Sequence, residues 1–371
     1  MRDKKKYRKF ALILLGIILI IFAGKILLDI AKISPFLFEL LFKKEISLKE
    51  NNNKINVLFL GIGGGAHDGP NLTDTIILAT FDKKENKVTL ASIPRDLWVP
   101  DLEHSNKKIN TAYAYGEGKK EGGGLVLAKA VVGKILNQKI DYAIRINFEG
   151  FVKAVDLVEG VDVDVERAFE DPEYPIAGKE NDPCGHEEEE LEALATVSSQ
   201  LEAFPCRYKL VKFGKGMQHM NGETALTFVR SRHASGNEGT DFARSNRQEK
   251  VLAAFKNKIL SVQTILNPTR ITSLYSILQD SIDTDIQQNE FDDFVRLIQK
   301  MKDAELKSII IDTGDENKKR SGLLTTPDSL VDYNLQWVLI PRIGNGNFSE
   351  IQDYVSCEQE KNNCTITSDL N

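Results

Sequence analysis

The segment IDYAIRINFEGFVKAVDLVEGVDVDV, residues 140–165, contains the signals for a strand, a helix and a second strand in one short run. Ile140–Ile146 and Val161–Val165 read as strands, whereas Phe148–Val158 has the apolar spacing of a helix that ends at Gly160. This alternation is typical of a layered α/β domain, in which helices cover a sheet. The segment therefore predicts an α/β fold.

The same alternation continues on the N-terminal side of this segment. Three short stretches are β-branched or aromatic and are bounded by Gly, Asp or Pro, which predicts strands at Val57–Leu60, Thr75–Phe81 and Lys87–Ile93. Leu125–Leu136 has apolar residues three or four positions apart, and this spacing predicts a helix.

Residues 172–209 interrupt the pattern with prolines, an acidic run and two cysteines, and we interpret them as a surface insertion. Helical and strand patterns return beyond this insertion. We predict helices at Glu223–Val229, Asp241–Leu260, 268–280 and 288–302, strands at 307–311 and Gln336–Ile340, and a loose tail after about residue 357.

The composition is that of a globular protein: 42% of the 371 residues are apolar and 27% are charged. These fractions exclude a disordered or fibrous chain. The net charge of -6 argues against general nucleic-acid binding, which usually requires a basic domain. The charge is uneven, because residues 1–9 carry a net +5 and the remainder of the chain carries -11.

Next to this basic tip, residues 10–24 (FALILLGIILIIFAG) are uncharged, and the apolar pattern resumes after Lys25. A membrane helix needs about 20 residues, so we predict one transmembrane helix over 10–30. The positive-inside rule places residues 1–9 in the cytoplasm and the rest outside the cell membrane, with 31–53 as a stalk. A cleaved signal peptide is the competing interpretation, but no small-x-small cleavage site follows the apolar run.

All four cysteines lie beyond the predicted span, in a compartment where disulfides persist. Their order in the chain favours the pairs Cys184–Cys206 and Cys357–Cys364, although four cysteines allow three pairings. No CxxC metal-binding spacing is present, and four free thiols are the alternative.

The segment Gly61–Ala66 (GIGGGA) satisfies the glycine pattern of dinucleotide-binding proteins. That site requires a helix to begin immediately, so that its N-terminus faces the pyrophosphate. Here His67–Asn71 has turn chemistry and a strand follows. The sequence therefore argues against a nucleotide-binding unit and predicts a glycine-rich loop.

Charged residues stand at the predicted strand ends, where α/β folds place their ligands. Asp74 begins one strand, Arg95 and Asp96 follow the next, and Lys108 begins KINTAYAYG. Each also has an ordinary structural explanation as a turn cap, a surface ion pair or a solvated charge.

Four arginines lie within eighteen residues: Arg230, Arg232, Arg244 and Arg247. A helix beginning at Asp241 places Arg244 and Gln248 on the same face as apolar residues such as Leu252. If that face packs inward, Asp241, Arg244 and Gln248 point inward as well, with Arg247 on the flank. Inward guanidinium groups need partners, and the preceding loop adds Arg230 and Arg232. Arginine forks suit phosphate oxygens, so the cluster predicts an anion site. A structural network of salt bridges is the alternative.

Four motifs in this order, IPRD (93–96), KINTAYAYG (108–116), NGETALTFVRSRH (221–233) and DFARSNRQEKVL (241–252), resemble the LytR-CpsA-Psr family of bacterial cell-envelope proteins. The resemblance covers about residues 54–265 and continues weakly to about residue 355.

The resemblance implies an extracytoplasmic α/β domain over 54–356, with a central mixed β-sheet flanked by helices, a C-terminal section over 266–356 and a tail over 357–371. It implies a Mg²⁺-dependent phosphotransferase that moves a glycopolymer phosphate from a polyprenyl pyrophosphate carrier to peptidoglycan. The residues that match basic groups around the pyrophosphate are Arg95, Lys108, Arg230, Arg232, Arg244 and Arg247, and Gln248 matches the same helix motif.

In the family pattern Asp74 contributes to magnesium binding. Many members carry a second metal-ligating aspartate where this chain has Gly63, so His67 or Asp68 would have to replace it, or the ion would keep more waters. Asp74, Asp96 and Asp241 are the carboxylates considered as proton acceptors. The predicted helices at 125–136 and 148–158 are apolar enough to line a lipid groove, although the core also accounts for them.

Two other functions remain open at this point. One is a non-catalytic module that binds a lipid pyrophosphate as an envelope regulator, which the glycine at position 63 favours. The other is a pyrophosphatase that uses water as the acceptor. We predict Asp74, Arg95, Asp96 and Arg244 as the catalytic group of the transferase.

Overall fold

The computed structural model describes residues 46–65, 69–102, 105–195, 197, 199–259, 281–315, 320–361, 364 and 366. In these ranges no helix combines the length and the apolar character needed to cross a bilayer. The predicted span at 10–30 and the predicted helix at 268–280 lie outside them.

The strands are β1 Lys54–Ile62, β2 Thr73–Asp82, β3 Lys87–Ser92, β4 Trp98–Leu102, β5 Ser105–Lys108, β6 Tyr142–Asn147, β7 Val161–Val165, β8 Phe169–Pro175, β9 Tyr208–Phe213, β10 Gly216–Met220, β11 Ile282–Thr284, β12 Glu305–Ile310, β13 Gly314–Asp315, β14 Arg320–Ser321, β15 Leu324–Thr325 and β16 Ile340–Pro341. The helices are α1 Thr111–Lys119, α2 Gly123–Leu136, α3 Phe148–Leu157, α4 Glu188–Ala195, α5 Gln200–Ala203, α6 Gly222–Arg230, α7 Asp241–Ile259, α8 Phe291–Lys300 and α9 Ser349–Glu360.

The chain divides into two compact units. The smaller unit comprises Met1–Leu48 and Gln287–Lys302, and in its described part helix α8 holds Arg296 in ion pairs with Asp292 and Asp293 of the same helix. The larger unit comprises Lys49–Ile286 and Asp303–Asn371 and contains every element described below.

A six-stranded sheet in the order β11-β6-β1-β2-β3-β12 forms the centre of the larger unit. Strands β1, β2 and β3 are antiparallel neighbours, whereas β6 runs parallel to β1 and β12 runs parallel to β3. The sheet is therefore mixed, as the family resemblance implied.

Helices cover the two faces of this sheet because β1 and β2 alternate their side chains between two apolar clusters. Leu58 and Leu78 belong to the main core, together with Leu125 and Val132 of α2 and Ile351 of α9. The neighbouring residues in these strands, such as Ile77, point to the opposite face of the sheet and belong to a second cluster, against which Leu252 of α7 packs. The predicted layered α/β arrangement is confirmed.

Both predicted disulfides are confirmed, Cys184–Cys206 and Cys357–Cys364. The first closes a loop in the acidic segment 172–209. The ends of that segment belong to the antiparallel strands β8 and β9, and its middle carries the short helices α4 and α5.

The predicted strand at Gln336–Ile340 is largely wrong. Ile340–Pro341 pairs with β15, Leu339 forms a single parallel bridge with Leu97, and Val338 is fully buried beside Trp98 in a separate cluster. Val338 and Leu339 are buried in succession while Gln336 and Trp337 are exposed, so the apolar run resembles a strand in sequence but lacks the alternating burial of one. Helix α9 continues to Glu360 and was not predicted, so the tail begins later than residue 357.

Candidate functional site

The sheet topology brings three chain segments to one edge. Strand β2 is antiparallel to both neighbours, so its beginning lies beside the ends of β1 and β3. Asp74 is at this beginning, Gly61 pairs with Thr75, and Arg95 lies in the loop that follows β3. A side chain at Gly61 would approach the Cβ of Thr75 to 3.1 Å, so a glycine keeps the two strands close.

A chain of ion pairs begins at this edge. The guanidinium group of Arg95 donates to Asp74, and its Nε lies 3.5 Å from Asp96 Oδ2. Lys108 donates to Asp96 Oδ1 at 2.8 Å. Burial tends to lower the pKa of Arg95, but Asp74 and Asp96 outweigh it and raise that pKa.

This arrangement separates residues that were predicted to share one site. Asp96 is buried between Arg95 and Lys108, and it lines neither of the two cavities that contain Asp74. Lys108 instead lines a third hollow, together with Trp98 and Asp332. Lys108 therefore connects to the site through Asp96.

Helix α7 is attached to the sheet by two side-chain contacts. Gln248 Nε2 donates to Thr75 Oγ1 at 3.2 Å, and the hydroxyls of Ser245 and Ser92 lie 3.1 Å apart. The predicted face is confirmed, since Arg244, Gln248 and Leu252 all line the same cavity. The side chain of Asp241 lies outside the described part of the structure.

The loop after α6 is held by the buried carboxylate of Asp171. Its Oδ2 accepts hydrogen bonds from Ser231 Oγ at 2.6 Å, from the backbone N–H of Arg232 at 3.0 Å and from that of His233 at 3.2 Å. These bonds fix the backbone that presents Arg232 and His233 to the cavities.

Arg230 has an aromatic environment. Its guanidinium carbon lies 4.1 Å from the ring centroid of Phe148 and 5.8 Å from that of Tyr174, which are cation–π distances. Among the described residues no carboxylate forms an ion pair with Arg230. Its positive charge is therefore available to an anionic ligand.

Arg247 does not lie where the sequence predicted. It is only 3% exposed, lines neither cavity, and donates to the carbonyl oxygens of Phe228, Ser231 and Glu238 and to the Glu238 carboxylate. Burial lowers the pKa of its guanidinium group, and Glu238 opposes that effect. These contacts fit the structural alternative for this one arginine, because the protein supplies all its partners.

Two cavities meet at this edge of the sheet. One, of about 570 Å³, is lined mainly by polar residues, and the other, of about 340 Å³, is lined mainly by apolar ones. The residues common to both are Asp74, Thr75, Arg232, His233, Arg244 and Gln248. Apolar residues of the second cavity include Phe59, Leu60, Ile77, Ile146, Phe148, Phe151, Leu226, Val229, Val251 and Leu252.

The apolar cavity tests the prediction about a lipid groove. Helix α3 contributes Phe148 and Phe151, whereas α2 packs into the main core through residues such as Leu125. Sequence reasoning missed Phe59 of β1 and Tyr208 of β9. The alternation of large apolar residues along β1 could have indicated Phe59, since it points away from the face of Leu58.

The second cavity is lined by four arginines and three carboxylates. Asp171 is already bonded to the loop described above, and Asp74 contacts Arg95. The excess of positive charge is smaller than the sequence predicted, because Arg247 is absent from the lining. The cavity still combines guanidinium groups with an adjoining apolar wall, which suits an amphiphilic anion.

For a metal ion, the candidate protein ligand is Asp74, the carboxylate that lines both cavities. In the described ranges one group of three possible ligands occurs, Asp182, Cys184 and Cys206, but its cysteines form a disulfide and are not thiolate ligands. His67 and Asp68 lie outside those ranges. A carboxylate at the junction of the two cavities, next to the guanidinium groups of Arg232 and Arg244, fits Mg²⁺, which commonly binds one or two carboxylates, substrate phosphates and water.

Comparison with known proteins agrees with this architecture. The model of the LytR_cpsA_psr family matches residues 38–327. The polyisoprenyl-teichoic acid–peptidoglycan teichoic acid transferase TagU of Enterococcus faecalis is 28% identical over an alignment of 305 residues, and the match covers 79% of this chain and 83% of that protein. The corresponding transferase TagV of Bacillus subtilis is 29% identical over 239 residues, 63% of this chain and 50% of that protein.

Two solved structures share the fold. The crystal structure of B. subtilis TagV superposes with a TM-score of 0.53 at 22% identity and covers 85% of this chain and 100% of that chain. The structure titled TagT bound to LI-WTA superposes with a TM-score of 0.50 at 21% identity and covers 83% of this chain and 92% of that chain.

Proposed function

The chain belongs to the LytR_cpsA_psr family, and we propose that it transfers a glycopolymer phosphate from a polyprenyl pyrophosphate carrier to peptidoglycan. The relatives named above are transferases of polyisoprenyl-linked teichoic acid to peptidoglycan. The observation that carries the proposal is the pair of cavities that meet at Asp74, Arg232 and Arg244.

The two cavities match the two ends of such a donor. The apolar cavity would take the polyprenyl chain, because its walls are formed by phenylalanines and aliphatic residues. The polar cavity would take the sugar and leave room for the acceptor. The pyrophosphate would then lie at their junction, against the guanidinium groups of Arg232 and Arg244, with Arg95 and Arg230 beside it.

The reaction needs positioning and charge stabilisation more than covalent chemistry. A sugar hydroxyl of peptidoglycan attacks the phosphorus that carries the glycan. A new P–O bond forms, the bond to the bridging oxygen breaks, and polyprenyl phosphate leaves. Arg232 and Arg244 would hold the phosphoryl oxygens through this step, and Gln248 would keep Arg244 in register through Thr75.

We propose that Mg²⁺ is the cofactor, with the Asp74 carboxylate as its protein ligand. When bound, the ion would reduce the negative charge on the phosphoryl oxygens. Arg95, which contacts Asp74, would orient that carboxylate, and Asp96 and Lys108 would in turn hold Arg95. The roles of Asp96 and Lys108 are therefore supportive, and Arg247 stabilises the protein itself.

We also propose a membrane location, with residues 10–30 as the anchor, 1–9 in the cytoplasm and the larger unit outside. The two disulfides support this placement, because disulfides persist mainly in oxidising compartments. Anchoring would keep the protein on the membrane that holds the carrier lipid.

The test is transfer of glycan phosphate from a synthetic polyprenyl-pyrophosphate-linked disaccharide to peptidoglycan oligomers, followed by mass spectrometry. The full chain in detergent with Mg²⁺ should form the phosphodiester-linked product. Arg244→Ala should reduce transfer by about 10²–10³-fold, the usual effect of removing a group that stabilises transition-state charge. Arg167→Ala is the control, because Arg167 is 53% exposed and lines neither cavity.

Two outcomes would replace the proposal with the other candidate functions. Tight binding of the donor without any transfer or cleavage by the wild-type protein would identify a non-catalytic lipid-pyrophosphate binder. Release of free glycan phosphate at the same rate with and without peptidoglycan would identify a pyrophosphatase.

A further inference from the structure

We propose that His233 is the proton acceptor for the attacking hydroxyl, and that Glu173 positions its imidazole ring. This inference rests on the proposed transfer reaction. His233 is one of the residues common to the polar and apolar cavities, so its position is where the phosphate end of a donor and an acceptor sugar would meet. Its Nδ1 lies 3.4 Å from Glu173 Oε2.

Backbone hydrogen bonds at His233 and at Ser235, two residues further on, fix the position of this histidine. The backbone N–H of His233 donates to Asp171 Oδ2 at 3.2 Å, and that of Ser235 donates to the carbonyl of Glu170 at 3.2 Å. Glu173 also depends on Asp171, because its N–H donates to Asp171 Oδ1 at 3.0 Å. One buried carboxylate therefore positions both members of the pair.

The backbone of His233 is held in place by hydrogen bonds, whereas its imidazole ring is accessible to a substrate. The His233 side chain is 57% exposed, whereas that of Glu173 is 34% exposed. If Nδ1–H points at the Glu173 carboxylate, Nε2 carries the lone pair and can accept a proton. A histidine oriented by a carboxylate is a common general base, and the pair can shorten when substrate binds.

Of the carboxylates considered from sequence, Asp74 and Asp96 fit this role less well, and the side chain of Asp241 lies outside the described part of the structure. Asp74 contacts Arg95 and would serve the metal ion. Asp96 is buried between Arg95 and Lys108 and lines neither cavity. An uncharged imidazole can accept a proton directly, whereas a carboxylate that is paired with Arg95 or a metal ion would first have to lose that contact.

The oxygen of the acceptor hydroxyl forms a bond to phosphorus while the bond from phosphorus to the bridging oxygen breaks. The hydroxyl proton passes to His233 Nε2, and the resulting imidazolium is stabilised by Glu173. The electron pair of the broken bond stays on polyprenyl phosphate. The imidazolium then returns its proton to solvent, since the ring is exposed.

The experiment compares His233→Gln with His219→Gln in the transfer assay with the full chain. His219 is a matched control: its side chain is 58% exposed, its Nδ1 lies 2.7 Å from Asp162 Oδ1, and it lines neither cavity. His233→Gln should lower kcat by about 10²–10⁴-fold, the usual contribution of general base catalysis, with little change in KM. His219→Gln should retain wild-type kcat, and Glu173→Gln should show a smaller loss.

Two further measurements distinguish a role of His233 in proton transfer from a purely structural role. Imidazole added to His233→Ala should restore part of kcat, because the exposed site admits it, and should not affect Arg244→Ala. In wild type kcat should fall as the pH is lowered, and His233→Gln should lose this dependence. The charged groups that line the same cavities as His233 are Asp74, Arg95, Asp171, Glu173, Arg230, Arg232, Arg244 and Asp312.

The inference fails if wild type transfers glycan and His233→Gln does so with unchanged kcat and an unchanged pH profile. It also fails if imidazole leaves His233→Ala unaffected while a thermal melt shows that the variant is folded. Absence of transfer by the wild-type protein would instead reject the proposed function.

Discussion

Gln248 of helix α7 donates a hydrogen bond to Thr75 of strand β2 at 3.2 Å, and Thr75 directly follows Asp74. This bond joins the helix that carries Arg244 to the strand that carries the candidate metal ligand. Because Gln248 and Arg244 are one helical turn apart, a shift of the helix would move both. The bond therefore connects the two halves of the proposed phosphate site.

The first prediction concerns this bond. Thr75→Val and Gln248→Leu should each lower kcat/KM for transfer, and the double variant should be hardly worse than either single one. A hydrogen bond of this kind contributes about 0.5–1.5 kcal/mol, so the coupling in a double-mutant cycle should have that size. Losses that simply add would show that the two side chains act independently.

The second prediction is that the two arginines of α7, Arg244 and Arg247, contribute differently to the free energy of unfolding. Arg247 is buried and bonded to three carbonyl groups and Glu238, so Arg247→Met should lower the free energy of unfolding by about 3–5 kcal/mol. Arg244→Met should change it by less than about 1 kcal/mol, because Arg244 lines an open cavity. Urea denaturation measures both. Equal losses would contradict the structural role of Arg247.

The third prediction concerns the pH dependence of stability. Burial raises the pKa of Glu249, although Ser308 donates a hydrogen bond to its carboxylate. A raised pKa in the folded protein means that the charged form opposes folding, and this penalty appears only as pH rises above the ordinary value of 4.5.

Glu249→Gln should therefore raise the melting temperature at pH 7, and the gain should shrink toward zero as pH falls below that ordinary value. Glu360→Gln, at an exposed position at the end of α9, should show no such gain. A Glu249→Gln protein that is less stable than wild type at pH 7 would contradict the assigned burial cost.

The fourth prediction compares the two disulfides. Cys184–Cys206 spans 22 residues and Cys357–Cys364 spans 7. In the chain-entropy model, replacing the first pair with serines costs about 3 kcal/mol and replacing the second costs about 2 kcal/mol. Thermal unfolding of both variants tests this order, and the reverse order would show that native contacts dominate the difference.

Local patterns in the sequence predicted much of the fold. Strands β1 and β2, which contain Leu58 and Leu78, and helix α2, which contains Leu125–Leu136, are confirmed. They could be predicted because each pattern depends only on residues that are close together in the sequence. The helical face of Arg244 and Gln248 is confirmed for the same reason. A periodicity of this kind shows which side chains share one face of a helix or strand, and the folded protein keeps them on that face.

Features that depend on distant residues could not be predicted in this way. A helical wheel places Arg247 on a flank, but it does not reveal that the carbonyl of Phe228 and the Glu238 side chain enclose it. The position of Lys108 depends on Asp96, and that of His233 on Asp171, which is 62 residues away in sequence. Such contacts arise from chain topology and not from local spacing.

The most direct measurement is a crystal structure of the protein with a short-chain polyprenyl pyrophosphate and Mg²⁺. We predict phosphate density in contact with Arg232 and Arg244 beside Asp74, and a lipid chain along Phe59 and Phe151. Phosphate groups bound elsewhere, with these arginines facing only water, would contradict it.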